Sequence, residues 1–137
     1  MKKYLLDTDI CVYYLRGEYR LDQKIKDVGI ENCYISEITI AELQFGVECS
    51  DEKYKVENQK NLEELKDVIQ PRIVTINSCF NVYAREKAKL KKEGQMLGEF
   101  DMLIGCSSVA NNMIMVTRNV NHFKRIEGIQ IKNWIDD

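Results

Sequence analysis

Short strand-like runs alternate with longer amphipathic segments along this chain, and that alternation constrains its fold more than any other feature. The short runs lie at 2–7, 33–36, 73–76, 113–117 and 129–131. Segments with helical periodicity or helix-ending signals separate them, at 9–15, 21–29, 37–49, 53–70, 78–93, 101–111 and 120–126. A loop that contains two glycines is predicted at 94–100. The pattern predicts an α/β, three-layer fold with a central parallel sheet of about five strands and helices on both faces.

The length and composition indicate a single domain that spans residues 1–137. Of the 137 residues, 45% are apolar, which is enough for a hydrophobic core without disulfides and too much for a disordered chain. The 20 basic and 22 acidic residues give a net charge of −2. This balance excludes a strongly basic nucleic-acid coat protein, whose affinity comes from neutralising many phosphates.

The cysteines and the N-terminus indicate a cytoplasmic protein. Five cysteines, with no Cys-x-x-Cys pair among them, fit neither a disulfide framework nor a thiolate zinc site. We expect them to be buried free thiols in a reducing compartment. The apolar run at residues 4–6 is too short for a signal peptide, and no run approaches the roughly 20 apolar residues of a membrane span.

Several polar side chains are expected to meet where the predicted strands end. Asp7 ends the first strand, Glu42 lies on the helix after the second, and Asn119 follows the fourth. Asp101 opens the helix that leads into the fourth strand. In parallel α/β sheets, ligands bind beyond the carboxyl ends of the strands at the point where the strand order reverses. If the first and fourth strands are neighbours, these side chains can converge there.

Converging carboxylates repel one another, and a bound cation offsets that repulsion. The side chains expected to meet there offer oxygen atoms as ligands, which favour Mg²⁺ or Mn²⁺ over zinc. The chemistry that this suggests is metal-assisted hydrolysis of a phosphate ester. An ordinary role stays open, because Asp7 and Asp101 are both placed where an acid caps a helix.

Four segments, taken together with their spacing, resemble a known family. They are Leu-Leu-Asp-Thr-Asp-Ile-Cys (5–11), Ile-Ser-Glu-Ile-Thr-Ile-Ala-Glu-Leu-Gln-Phe-Gly (35–46), Gly-Glu-Phe-Asp-Met-Leu-Ile (98–104) and Val-Thr-Arg-Asn-Val-Asn-His-Phe-Lys-Arg-Ile (116–126). Their order and intervals resemble those of PIN-domain ribonucleases, specifically the VapC-like toxins of type II toxin–antitoxin systems. The resemblance extends over nearly the whole chain.

The resemblance implies an Mg²⁺- or Mn²⁺-dependent endoribonuclease whose metal ligands are Asp7, Glu42 and Asp101. The fourth family position falls on Asn119, where many members carry Asp, and the lost charge argues against a fully occupied second metal site. We expect Asn119 to orient a water molecule or an outer ligand. Residues of secondary rank near the site are Thr8, Asp9 and Thr117.

The resemblance also implies two protein partners, namely a second copy of the chain in a homodimer and a cognate antitoxin that blocks the acidic pocket. The amphipathic segments 37–49 and 53–70 are candidates for the partner surface. Aromatic side chains of the kind that interfaces favour add to it; they are Tyr13, Tyr14, Phe45 and Tyr54. Ordinary core packing of these residues is an equally good explanation.

Two groups of basic residues could contact the RNA backbone. Arg118, Lys124 and Arg125 flank Asn119, and we interpret them as phosphate contacts. The denser run at 85–92 is interpreted as a solvated helix face. The one histidine, His122, is assigned a structural or RNA-facing role instead of catalysis, because a metal supplies the nucleophile without it.

Three other functions fit parts of the sequence. Asp7-Thr8-Asp9 after an apolar strand is typical of haloacid-dehalogenase-type phosphatases, but Ile10 and Cys11 replace the usual Gly-Thr continuation. A phospho-acceptor receiver domain also carries acids at strand ends, but it needs a lysine that residues 116–118 do not supply. A catalytically silent PIN-like module that only binds RNA or protein stays open because of Asn119.

Overall fold

Alternate residues of the central strands face opposite sides of one parallel sheet, and each side is covered by helices. A computed structural model describes residues 1–137. Its strands are β1 (Tyr4–Leu6), β2 (Cys33–Ser36), β3 (Ile73–Val74), β4 (Ile114–Val116) and β5 (Gln130–Lys132). Its helices are α1 (Thr8–Leu15), α2 (Leu21–Val28), α3 (Glu37–Glu48), α4 (Glu52–Ile69), α5 (Phe80–Glu93), α6 (Glu99–Ala110) and α7 (Val120–Phe123). Short 3₁₀ turns occupy Ile30–Asn32, Gln70–Arg72 and Ile76–Cys79.

The strand order is β3-β2-β1-β4-β5, and every neighbouring pair is parallel. The predicted α/β class, the five strands and the pairing of the first and fourth strands are therefore confirmed. The chain leaves β1 towards β2 on one side and reaches β4 on the other only later. The order thus reverses between β1 and β4, and a ligand site is expected beyond their carboxyl ends.

Two hydrophobic cores flank the sheet. Leu5 and Met115 point into a core shared with α5, α6 and α7. Leu6 and Val116, the next residue of each strand, point into a core shared with α1, α2, α3 and α4. This is the two-residue alternation of extended strands, and it produces the predicted three layers.

Several predicted boundaries are wrong by a few residues. The loop predicted at 94–100 ends earlier, because α6 already begins at Glu99. The strand predicted at 73–76 has only two residues, since the backbone turns into a 3₁₀ helix at Ile76. The helix predicted at 120–126 ends at Phe123. Gly94 ends α5 as predicted, in the left-handed conformation with φ 68° that favours glycine.

The cysteines and the hydrophobic segments agree with most of the expectations. All five cysteines are free. Four are buried as expected, but the prediction is wrong for Cys49, which is exposed at the end of α3. None of the helices has the length and apolar character needed to span a membrane.

Candidate active site

Asp7 lies at the carboxyl end of β1, where the chain turns into α1. Its carboxylate is buried and has fixed partners on both oxygen atoms. Oδ1 accepts a hydrogen bond from the backbone N–H of Thr8 at 2.8 Å. Oδ2 accepts one from the Thr117 hydroxyl, also at 2.8 Å, just beyond β4. The ends of the two central strands therefore hold the Asp7 carboxylate in one orientation.

Asp9 faces the same loop after β4 and adds a second carboxylate. Its Oδ2 accepts a hydrogen bond from the backbone N–H of Arg118 at 3.1 Å and lies 3.5 Å from the Thr117 hydroxyl. Its Oδ1 accepts one from the backbone N–H of Ile10. Asp9 was predicted to be of secondary importance at the site. In the structure it shares the Thr117 hydroxyl with Asp7.

Burial and like charge act together on these two acids. Burial is the largest cause that raises the pKa of Asp7 from 3.8 to about 7, followed by the negative charge of Asp9. Hydrogen bonds from Thr117 and Thr8 lower the pKa, and the charge of Asp101 raises it slightly. Burial also raises the pKa of Asp9. Each of these causes except the hydrogen bonds disfavours the ionised pair, so a nearby cation would stabilise it.

Glu42 reaches the same region from α3. The Thr8 hydroxyl donates a hydrogen bond to Glu42 Oε1 at 2.6 Å. The Thr39 hydroxyl lies 3.0 Å from that of Thr8, whose only hydrogen is engaged with Glu42, so Thr39 is the donor in this pair. Thr39 was not among the site residues predicted from the sequence. The spacing of three residues between Thr39 and Glu42 on one helix face was the available signal.

Asp101 stands in the first turn of α6 and has a partner that the sequence did not predict. His122 Nε2 lies 2.9 Å from Asp101 Oδ2. Asp101 acts on Asp7 only through its charge, and no three His, Cys, Asp or Glu side chains form a ready metal cage. The donor chemistry nevertheless fits a hard divalent cation, because the site offers carboxylate oxygens whose mutual repulsion such an ion would relieve.

Asn119 forms the start of α7 and leaves its side chain free. Its backbone N–H donates to the Thr117 hydroxyl at 3.0 Å, while its amide group is exposed and makes no hydrogen bond. The Thr117 hydroxyl therefore connects Asp7, Asp9 and the Asn119 backbone. This placement keeps the predicted site residue Asn119 close to Asp7 and Asp9 and leaves its amide group without a hydrogen bond.

Arg118 is engaged within the protein, in contrast to its predicted role as an RNA contact. Its guanidinium pairs with Asp136 at 3.1 Å and lies over the rings of Tyr13 and Tyr19, 5.7 and 5.1 Å from their centroids. It also donates hydrogen bonds to both tyrosine hydroxyls. These contacts use four of its five N–H groups, so little of the side chain is left for a phosphate.

The other basic residues that were considered for RNA contact differ in whether they pair with an acidic side chain of the protein. Lys124 is exposed without a protein partner, and Arg125 makes only a 3.4 Å contact with the carbonyl oxygen of Met96. The run at 85–92 is not wholly a solvated face, because Glu86 is fully buried and pairs with Lys89 at 3.1 Å.

The aromatic side chains that were assigned to a partner surface also separate into two pairs. Phe45 is 70% exposed and Tyr54 is 55% exposed. Tyr13 and Tyr14 are half-buried and pack against the core beneath α1. Core packing therefore accounts for the second pair, and only the first pair is available on the surface.

Comparisons with known proteins agree with one another over nearly the whole chain. The PIN domain family matches residues 4–129. Ribonuclease VapC2 of Rickettsia felis is 34% identical, covering 96% of this chain and 97% of that protein. The tRNA(fMet)-specific endonuclease VapC of Salmonella typhimurium is 25% identical, covering 98% of this chain and 99% of that protein.

Solved structures show the same similarity. The structure of VapBC2 from Rickettsia felis bound to a DNA fragment from their promoter superposes with a TM-score of 0.83 at 31% identity, covering 96% of this chain and 98% of that one. DNA-bound VapBC from Salmonella typhimurium gives a TM-score of 0.82 at 25% identity, with 98% and 99% covered. The match takes in the Asp7-Thr8-Asp9 fragment and the loop after β4, which overturns the phosphatase and receiver-domain alternatives. The chain belongs to the PIN domain family and, within it, to the VapC branch.

Proposed function

We propose that this protein is a metal-dependent endoribonuclease that acts as the toxin of a toxin–antitoxin module. The observation that carries the proposal is the Asp7 carboxylate, which is buried beside Asp9 without a cationic partner. Such an arrangement is costly unless a cation or a proton compensates it. The relatives named ribonuclease and tRNA(fMet)-specific endonuclease support RNA as the substrate.

Asp7, Asp101 and Glu42 are the residues that would hold Mg²⁺ or Mn²⁺, directly or through water. When bound, the ion supplies an activated water molecule and neutralises charge on the scissile phosphate. Thr117 orients Asp7, and Thr8 orients Glu42, so both carboxylates are placed before the substrate arrives. The free amide of Asn119 is available to orient a water molecule or a phosphate oxygen beside these acids.

The decisive experiment compares Asp7→Asn with the wild type and with Asp67→Asn, a matched change of an exposed acid on α4 that makes no ion pair or hydrogen bond. Cleavage is measured on an initiator tRNA transcript and on an unstructured oligoribonucleotide, and toxicity is measured as growth arrest on expression. We expect Asp7→Asn to lose cleavage by at least about 100-fold and to lose toxicity, while Asp67→Asn keeps both. EDTA should abolish wild-type cleavage, and Mg²⁺ or Mn²⁺ should restore it. Full cleavage by Asp7→Asn would refute the metal site.

A silent RNA-binding module is the second candidate, and the uncharged Asn119 favours it. It predicts that the wild-type protein retains RNA in a binding assay but cuts neither substrate with Mg²⁺ or Mn²⁺ present. Restoring the charge with Asn119→Asp would then be expected to create cleavage. Under the nuclease proposal, the wild type is already active.

An antitoxin is the proposed protein partner, since the similar solved structures are VapBC assemblies. A mostly apolar groove of about 450 Å³ lies between α1, α2 and α4. An apolar segment of the antitoxin could bind in this groove. Its lining includes Leu15, Ile25, Ile30, Leu65 and Val68. We expect Val68→Asp, at an exposed position in this groove, to abolish co-purification with the antitoxin while leaving RNA cleavage intact.

Self-association into a homodimer and a cytoplasmic location complete the proposal. Light scattering tests the homodimer directly, because a dimer has twice the 16.0 kDa mass of the chain. Fractionation of the host cells, followed by detection of the tagged protein, tests the location. A mass of one chain at all concentrations would contradict the dimer.

A further inference from the structure

His122 makes a direct contact with the candidate site that the proposed mechanism leaves unused. The imidazole Nε2 lies 2.9 Å from Asp101 Oδ2. An ionised carboxylate only accepts hydrogen bonds, so Nε2 carries the hydrogen and donates it. The other oxygen, Asp101 Oδ1, makes no hydrogen bond within the protein. The histidine therefore holds one carboxylate oxygen and leaves the other available.

The position of His122 is fixed by the packing of α7 on α6. Phe123 is fully buried and lies against Gly105, where an added Cβ would meet the Phe123 ring at 3.1 Å and Ile126 at 2.4 Å. Gly105 and Asp101 are four residues apart and share one face of α6. Close packing at Gly105 thus places His122, the residue before Phe123, opposite Asp101 one helical turn away.

Two further contacts restrict the motion of this pair. The His122 ring is edge-on to the Phe123 ring, with centroids 5.6 Å apart and an interplanar angle of 88°. The first turn of α6 is held to α5 by Glu99, whose carboxylate lies 2.7 Å from Lys87 Nζ. Both ends of the Asp101–His122 hydrogen bond are therefore held by residues outside the candidate site.

We propose that His122 is a positioning residue, which orients the Asp101 carboxylate so that its free oxygen is presented to a divalent cation. The proposal rests on the proposed function, because it needs Asp101 to be a ligand. Hydrogen bonds from an outer residue fix the orientation of a metal-binding carboxylate, and loss of such a partner typically weakens metal affinity or activity 10- to 100-fold. His122 itself touches neither the metal nor the RNA in this role.

The test compares His122→Ala with His122→Gln, whose amide N–H can replace the Nε2–H donor. Asn121→Ala is the matched control, since Asn121 is an exposed neighbour on α7 that makes no hydrogen bond. Binding of Mn²⁺ alone is measured by calorimetry, and kcat and KM are measured on the same RNA substrates. We expect His122→Ala to weaken Mn²⁺ binding and lower kcat 10- to 100-fold with KM unchanged. His122→Gln should recover most of both losses, and Asn121→Ala should match the wild type.

Three results would overturn the proposal. They are wild-type Mn²⁺ binding and kcat in His122→Ala, equal losses in His122→Gln and His122→Ala, and a rise in KM without a fall in kcat. Asp101→Asn separates this proposal from the proposed function. If Asp101→Asn loses Mn²⁺ binding and cleavage but His122→Ala does not, only the role of His122 is wrong. If Asp101→Asn keeps both activities, the assigned metal site is wrong and the role of His122 falls with it.

Discussion

Two carboxylates are buried in this protein, and their surroundings give them opposite properties. Glu86 on α5 is 0% exposed, and Asp7 at the end of β1 is 6% exposed. Burial alone would raise the pKa of both. The pKa of Glu86 is nevertheless lowered, whereas that of Asp7 is raised to about 7. Although both side chains have little exposed surface, Asp7 lies deeper in the protein, and this depth and the neighbours of each carboxylate together account for the difference.

Glu86 is surrounded by donors and cations. Its Oε1 accepts hydrogen bonds from the backbone N–H of Glu127 at 2.9 Å and from Lys89 Nζ at 3.1 Å. Its Oε2 lies 3.5 Å from Arg85 Nε. These partners outweigh burial and keep Glu86 ionised, so it attaches α5 to the turn before β5. This is a structural use of a buried charge.

Asp7 has hydrogen bonds but no cation. Its neighbours with charge are Asp9 and Asp101, and both disfavour its ionised form. A carboxylate that is buried among other carboxylates destabilises the fold, but the same arrangement suits the binding of a metal ion. The comparison therefore separates a buried acid that is paired with cations from one whose surroundings suit the metal site proposed above.

The largest expected effect comes from removing the charge of Asp7. A folded-state pKa of about 7 against 3.8 in the unfolded chain means that the folded protein binds more protons between those values. Stability is therefore lost as the pH rises from about 4 to about 7. Asp7→Asn should be more stable than the wild type at pH 8 without metal, by up to about 4 kcal/mol, and equal to it near pH 4. Urea unfolding at several pH values measures the difference, and a less stable variant at pH 8 would contradict the comparison.

A divalent ion should restore much of the stability that the wild type loses at pH 8 when Asp7 is ionised. At 100 times its dissociation constant, Mn²⁺ should stabilise the wild type by about 2.7 kcal/mol at pH 8. It should leave Asp7→Asn, which lacks one ligand charge, nearly unchanged. Thermal unfolding with and without Mn²⁺ measures both proteins, and Asp67→Asn serves as the control. An equal shift in all three proteins would mean that the ion binds elsewhere.

Glu86→Gln should lower the stability of the fold, whereas Asp7→Asn should raise it. The substitution keeps the size of the side chain but removes charge-assisted bonds, and we expect a loss of about 2 kcal/mol at pH 7. Because the folded-state pKa of Glu86 is lowered, its contribution is present above the unfolded pKa and is lost as the pH falls through the folded one. The variant and the wild type should therefore converge at low pH. Divergence there instead would show that the charge of Glu86 does not stabilise the fold.

Sequence patterns predicted the sheet and the acids at its edge, because both depend on local features. Strand periodicity and the residue that ends a strand can be identified within a few positions, as for Asp7 after β1. The pairing of Asp101 with His122 and the burial of Glu86 depend on which faces of two helices meet. Periodicity places a residue on a helix face but does not identify the element that packs there. The same limitation applies to Arg118, whose contacts with Asp136 and two tyrosines were not predicted from the sequence.

The smallest expected effect extends the comparison from acids to cations. Arg118 is paired within the protein, whereas Arg125 is exposed with only a 3.4 Å carbonyl contact. Arg125→Glu should therefore weaken RNA binding by about 1 kcal/mol and flatten the dependence of log affinity on log salt by about one unit. Arg118→Gln should leave that slope unchanged and instead lower the melting temperature, because it breaks the contacts with Asp136 and the tyrosines. Both substitutions are made in the Asp7→Asn variant, so that the RNA is not cut. Filter binding of RNA at several salt concentrations then measures both slopes. A flatter slope for Arg118→Gln, with none for Arg125→Glu, would mean that the paired arginine is released to bind phosphate when RNA is present.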